Sequence, residues 1–130
     1  MNRFQQREQA FYLIFESQFE ANKDSDILEI YAEYIGKIGE YAKQVYLGVC
    51  DKNEEFEAII SRYSNGWKIT RIPKVNLSLL KLALYEMIYV DSVPDSVAVN
   101  EAVELAKKYS GKEDASFING ILGSFSRSKD

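Results

Sequence analysis

The chain has no histidine, a single cysteine, only two prolines and no apolar run long enough to span a bilayer. Without imidazole it lacks the commonest general base near neutral pH, the histidine-dependent serine and cysteine nucleophiles, and most zinc sites. Cys50 alone excludes an internal disulfide framework and points to a reducing, cytoplasmic compartment. The opening Met1-Asn2-Arg3-Phe4-Gln5-Gln6 has no apolar h-region, so no secretory signal or membrane attachment is expected. There is no glycine-rich phosphate loop and no Rossmann-type glycine fingerprint. Glu101 and Glu104, and likewise Glu54, Glu55 and Glu57, recur at helical spacing and read as solvated faces. No catalytic constellation, metal site or cofactor is expected.

What is present suits one soluble domain covering residues 1–130. Hydrophobic residues make up 46% and charged residues 28%, a balance that folds rather than staying disordered. The net charge of −4 argues against general affinity for nucleic acid, but the charge is uneven. Residues 1–65 are net −5 and residues 66–130 net +1; between Glu57 and Glu86 no acid occurs, whereas Arg62, Lys68, Arg71, Lys74 and Lys81 do. Any polyanion must therefore be met by a local patch.

Apolar spacing is helical almost throughout, with no alternating strand pattern, internal repeat or low-complexity linker. Phe4, Phe11, Ile14, Phe15 and Phe19 form a first stripe, and Asp24 or Ser25 is placed to cap a second helix through Ile27, Ile30, Tyr31 and Tyr34. After Gly36 and Gly39, one long or once-bent helix carries Tyr41, Val45, Val49, Phe56, Ile60 and Tyr63 and ends at Asn65-Gly66. Cys50 reads as a small buried hydrophobe, and Trp67 and Ile72 as core anchors of the next bend. Pro73 closes that connection, and Asn76 is the expected cap of a helix from Leu77 to about Val90. This helix is apolar on nearly every side, hence central. Pro94 and Asp95 open a helix through Ala98, Ala102, Leu105, Ala106 and Tyr109, which Ser110-Gly111 stops. The last helix packs through Ile118, Ile121, Leu122 and Phe125. The fold class is all-α, a single compact bundle of about six or seven helices.

The last helix carries small residues, Ser116, Gly120, Gly123 and Ser124, opposite its apolar stripe. Each mid-helix glycine costs about 0.5–1 kcal/mol relative to alanine. Tight packing against a neighbouring helix is the slightly favoured reason; close approach of a partner backbone or nucleotide is the alternative.

The ordered motifs Trp67-x-x-x-Arg71-Ile72, Leu79-Leu80-Lys81-Leu82-Ala83-Leu84-Tyr85-Glu86, Val97-Ala98-Val99-Asn100-Glu101-Ala102-Val103-Glu104-Leu105-Ala106-Lys107 and Phe117-Ile118-Asn119-Gly120-Ile121-Leu122 resemble the bacterial NusB family of transcription antitermination factors. The resemblance implies a compact helical, non-enzymatic protein that binds the boxA element of single-stranded nascent RNA together with NusE, a small-subunit ribosomal protein. Other Nus factors and RNA polymerase would be engaged indirectly, to suppress termination in ribosomal RNA transcription. It further implies phosphate contacts from Arg3 and Arg7, base stacking by Phe117, and a base-edge or local hydrogen bond from Asn119; the residues themselves offer Lys68, Arg71 and Lys74 as a phosphate-positioning patch beside Trp67. Phe15, Lys74 and Asn76 are carried over as the NusE-facing residues. Arg3, Arg7, Arg71 and Phe117 are then expected on one cationic, aromatic ledge. The N-terminal segment is thinner in arginine than is usual for the family, so RNA affinity and its salt slope should be low. Two alternatives accompany this reading: a homodimeric interaction protein of the same fold with little RNA binding, or a stand-alone relative of the NusB-like domain of ribosomal RNA methyltransferases.

Overall fold

Asn2 begins the first helix: its side chain accepts from the Gln5 N–H at 2.8 Å while the Gln5 side chain accepts from the Asn2 N–H at 3.0 Å. This reciprocal capping satisfies two of the donors a helix start leaves open. The computed structural model describes residues 1–22 and 26–129. Among these it contains seven α-helices and no strand: α1 (Arg3–Ser17), α2 (Ile27–Tyr34), α3 (Glu40–Asp51), α4 (Asn53–Tyr63), α5 (Lys74–Tyr89), α6 (Asp95–Tyr109) and α7 (Lys112–Ser128). Short 3₁₀ turns lie at Glu20–Asn22 and Ile69–Arg71.

The cap expected at Asp24 or Ser25 lies outside the described residues; Asp26 caps α2, accepting from the Glu29 N–H at 3.1 Å. The helix expected to be long or once bent breaks between α3 and α4 at Lys52, where ψ is +17°. Asn76 is not the cap of α5. Pro73 occupies that position, and the helix begins three residues before Leu77, because the fixed proline φ suits a helix start and the missing N–H costs nothing there.

Every residue of α5 from Asn76 to Met87 is buried, so this helix is the axis of the bundle. Gln18 bonds Ser78 and Arg7 bonds Glu86, so α1 runs antiparallel to α5. Asn76 bonds Asp114 and the Lys129 ammonium reaches the Met87 carbonyl at 3.1 Å, so α7 runs parallel to it. Helices α3, α4 and α6 also pack on α5, and α4 and α6 pack on α7. Two ends of the α1 stripe fall outside this core: Phe4 and Phe19 are exposed, as each lies beyond the turns that face α5. Cys50 is exposed as well, because it sits about 100° round the helix from the buried Val49.

Close approach of α3 to α5 depends on Gly48. A Cβ there would lie 2.1 Å from a Tyr85 ring carbon, and that ring is itself held against Phe56 and Tyr89. Gly48→Ala gains about 1 kcal/mol of helix propensity and meets an overpacking cost of about 1–3 kcal/mol. A net loss of about 1 kcal/mol is expected in denaturant melts; a stabilised variant would show that Tyr85 can move aside.

The seam between α1 and α6 is polar. Glu8 accepts from the Lys108 ammonium at 2.7 Å and the Tyr109 hydroxyl at 2.5 Å. Burial pushes the Glu8 carboxyl up, but these donors together outweigh it and hold the carboxyl below its usual 4.5. At Asp114, hydrogen bonds from Ser110 and Asn76 outweigh burial and lower the carboxyl below 3.8. A carboxyl lowered by folding contributes stability that is complete above its unfolded pKa and lost as pH falls through the folded value. Thermal melts should therefore fall more steeply for the parent chain than for Glu8→Gln below about pH 4.5; parallel slopes would contradict this.

Candidate functional site

Where α4 stops, the backbone makes a left-handed step through Asn65 (φ +52°) and Gly66 (φ +89°). Glycine adopts this region freely and asparagine tolerates it better than most residues, which is why this dipeptide ends the helix so sharply. Ser64, buried beneath the turn, accepts from the Trp67 N–H at 3.1 Å through its carbonyl and meets the Trp67 carbonyl at 2.8 Å through its hydroxyl. The Trp67 backbone is thus held at both ends while its side chain stands out.

Trp67 is not the core anchor its hydrophobicity suggests: it is 54% exposed, whereas Ile72, at the far end of the same bend, is buried. The three-residue 3₁₀ turn at Ile69–Arg71 turns Ile72 inward and leaves Lys68 and Arg71 in solvent. Asn65, Gly66, Trp67, Lys68 and Arg71 line an open recess of about 370 Å³. Phe117, half-buried on α7, meets the indole edge to face, with ring centres 6.1 Å apart and planes at 69°. Lys68, Arg71 and Phe117 are therefore brought together, and Trp67 joins them. The signal for Trp67 lay in the left-handed Asn65-Gly66 step, which fixes the backbone without burying the following side chain.

The remaining expected RNA residues lie elsewhere. Arg7 requires correction: it is 5% exposed, and its Nε donates to both Glu86 carboxylate oxygens at 2.9 Å. The Tyr41 hydroxyl bonds the same carboxylate, so Arg7 belongs to a buried polar network joining α1, α3 and α5. Burial and hydrogen bonding to Glu86 raise the Tyr41 hydroxyl pKa above its usual value. Arg3 is exposed, with its guanidinium carbon 3.7 Å from the Tyr41 ring centre, in the α1–α3 seam beside Lys43 and Gln44. Glu86 and Asn76 stand ten residues apart on α5, about 15 Å along its axis. Arg3 lies toward the Glu86 end, Phe117 toward the Asn76 end and in a different seam. The single ledge of Arg3, Arg7, Arg71 and Phe117 does not exist.

Asn119 is exposed but, two residues on, lies about 200° round α7 from Phe117. It lines a separate recess with Asp95, Asn100 and Arg127 between α6 and α7. The small-residue face is not packed against a neighbouring helix: Ser116 and Gly120 are exposed, and a Cβ at Gly120 would meet nothing within 4 Å.

Of the residues expected to face a partner, Phe15 and Lys74 come together through Phe19. The Phe15 and Phe19 rings meet at 84° with centres 5.0 Å apart, and the Lys74 ammonium lies 5.4 Å from the Phe19 ring centre. Asn76 needs correction, being 1% exposed with its amide nitrogen donating to Asp114 at 2.9 Å. It ties α5 to α7 and presents nothing to a partner. Beside Lys74 a groove of about 480 Å³ runs between α1, α3 and α5; on its floor the Lys81 ammonium bonds Glu57 at 3.1 Å and Gln18 at 3.2 Å. Among the described residues no cluster of cysteine or acidic side chains could hold a metal ion, and no helix is long and apolar enough to cross a membrane.

Residues 5–127 match the NusB family. The transcription antitermination protein NusB of Acetivibrio thermocellus is 48% identical over 129 residues, covering 95% of this chain and 87% of the relative. That of Finegoldia magna is 41% identical and covers 100% and 97%. The structure of T. maritima NusB superposes with a TM-score of 0.85 at 28% identity, covering 98% of this chain and 92% of that one. A structure of the antitermination factors NusB and NusE in complex with dsRNA matches with a TM-score of 0.81 at 25% identity, covering 98% and 99%. A bundle of seven helices among the described residues with α5 at its axis, the family match over nearly the whole chain and relatives of this identity agree: the protein belongs to the NusB family.

Proposed function

We propose that the protein is a non-catalytic transcription antitermination factor that binds boxA-type single-stranded RNA together with NusE during ribosomal RNA transcription. It reaches other Nus factors and RNA polymerase through that complex, in the cytoplasm. The observation that carries this reading is the whole-length likeness to the NusB seen with NusE and dsRNA, which supports an RNA and a NusE partner; the single strand is our own step. Locally, Lys68 and Arg71 lie beside two aromatic rings in the stretch of sequence that has no acid. Cations there hold phosphates and set register, and the rings receive bases that are not stacked in a duplex. Arg3 and Asn119 supply separate contacts farther along the RNA. Phe15, Phe19 and Lys74 form the NusE-facing surface, away from the buried Asn76.

The test is titration of a boxA-type single strand, with and without purified NusE, at two salt concentrations. Weak binding alone, tighter binding with NusE and attenuation by salt are expected. A scrambled strand bound equally well, or no binding in either arm, contradicts the proposal.

A further inference from the structure

We infer that Trp67 is the base-stacking platform of the chain, with Phe117 as its buttress and Lys68 and Arg71 as the phosphate contacts on either side of the stacked nucleotide. The inference rests on the RNA-binding reading and deepens it by assigning the unpaired base to the Trp67 ring, with Phe117 bracing that ring from the side, rather than to both rings alike. Several observations on the molecule converge. The turn that carries Trp67 is rigid, because Ser64 is buried and bonds the Trp67 backbone at both its N–H and its carbonyl. The indole is nevertheless the most exposed aromatic ring outside α2, at 54%. A tryptophan fixed in solvent by its own backbone forgoes burial that a mobile side chain would find.

The ring is also oriented for the task. Phe117 meets it edge to face, an arrangement that braces the indole without a parallel partner occupying it. The space beside Gly66 is open: a Cβ there would meet nothing within 4 Å. The flanking Lys68 and Arg71 line the same recess, and no acidic residue occurs in the sequence between Glu57 and Glu86. An open cationic recess suits a nucleotide, whose base stacks while its phosphates meet the cations. A protein side-chain anchor instead calls for an enclosed apolar pocket.

Trp67 is the only tryptophan of the chain, so its emission reports directly on the recess. The protein is titrated at low salt with a boxA-type single-stranded oligonucleotide bearing a dye at its 5′ end. Indole emission and dye anisotropy are read together. Emission is expected to fall as anisotropy rises, with one apparent Kd, and Trp67→Ala should bind roughly 5- to 100-fold more weakly by anisotropy while Trp67→Phe keeps most of the affinity. A rise in anisotropy with unchanged emission, or with unchanged affinity for a folded Trp67→Ala, overturns this inference and leaves the RNA-binding reading standing. No anisotropy change in any arm overturns both. Emission that responds to a tryptophan-free form of NusE and not to RNA assigns the recess to a protein and overturns the inference.

Discussion

Glu86→Ala is expected to lose about 3–5 kcal/mol of folding stability, the usual consequence of breaking a buried ion pair by removing one member. Glu86 is 1% exposed and takes hydrogen bonds from Arg7 and Tyr41, so its loss leaves a guanidinium and a phenol buried without their acceptor. For a chain of this length the melting temperature should drop by roughly 10–18 °C. Arg7→Ala strands the carboxylate instead and should cost a similar amount. The triple replacement Arg7→Met, Tyr41→Phe, Glu86→Leu removes all three polar partners together and should recover most of the loss, because well-packed apolar groups replace a buried ion pair at little cost. The comparison also settles the status of Arg7. Where the triple variant is folded its RNA affinity should equal that of the parent, and a large loss of affinity would return Arg7 to the RNA surface.

The double variant Lys68→Ala, Arg71→Ala should bind boxA-type RNA roughly 10- to 15-fold more weakly at 0.15 M salt and about fivefold worse again at 0.05 M. Each cation that neutralises a phosphate on a single strand steepens the dependence of log affinity on log salt by about 0.7, so two remove about 1.4 from the slope. Both side chains are exposed and neither takes part in an ion pair within 4.0 Å among the described residues, so melting should change little. An unchanged slope in binding isotherms at three salt concentrations would show that the recess does not meet phosphates.

The helical part of this architecture was legible because periodicity and punctuation agree along the chain. The all-round apolar stretch of α5 announced its central place, and Asn65-Gly66 and Pro94 marked a helix end and a helix start. The site was legible only in part. Lys68, Arg71 and Phe117 do meet, but the arginine at position 7 looks like any surface cation until Glu86, 79 residues away, is brought against it. No local pattern encodes that pairing. Phe117 and Asn119 sit in one tetrapeptide and yet face different seams, since two steps along a helix turn a side chain through about 200°. Trp67 was drawn inward by its hydrophobicity alone. A three-residue 3₁₀ turn has no periodicity from which to read which side of it faces the core.

The most direct measurement of the central claim is an amide chemical-shift map of the isotope-labelled protein on adding boxA-type RNA and unlabelled NusE. The RNA-dependent shifts should concentrate at residues 65–71, at 113–120 on α7 and at the Trp67 indole N–H, with the shifts caused by NusE alone appearing around Phe15, Phe19 and Lys74. RNA-dependent shifts confined to α2 or to the α1–α3 seam, with the Trp67 indole unmoved, would contradict it.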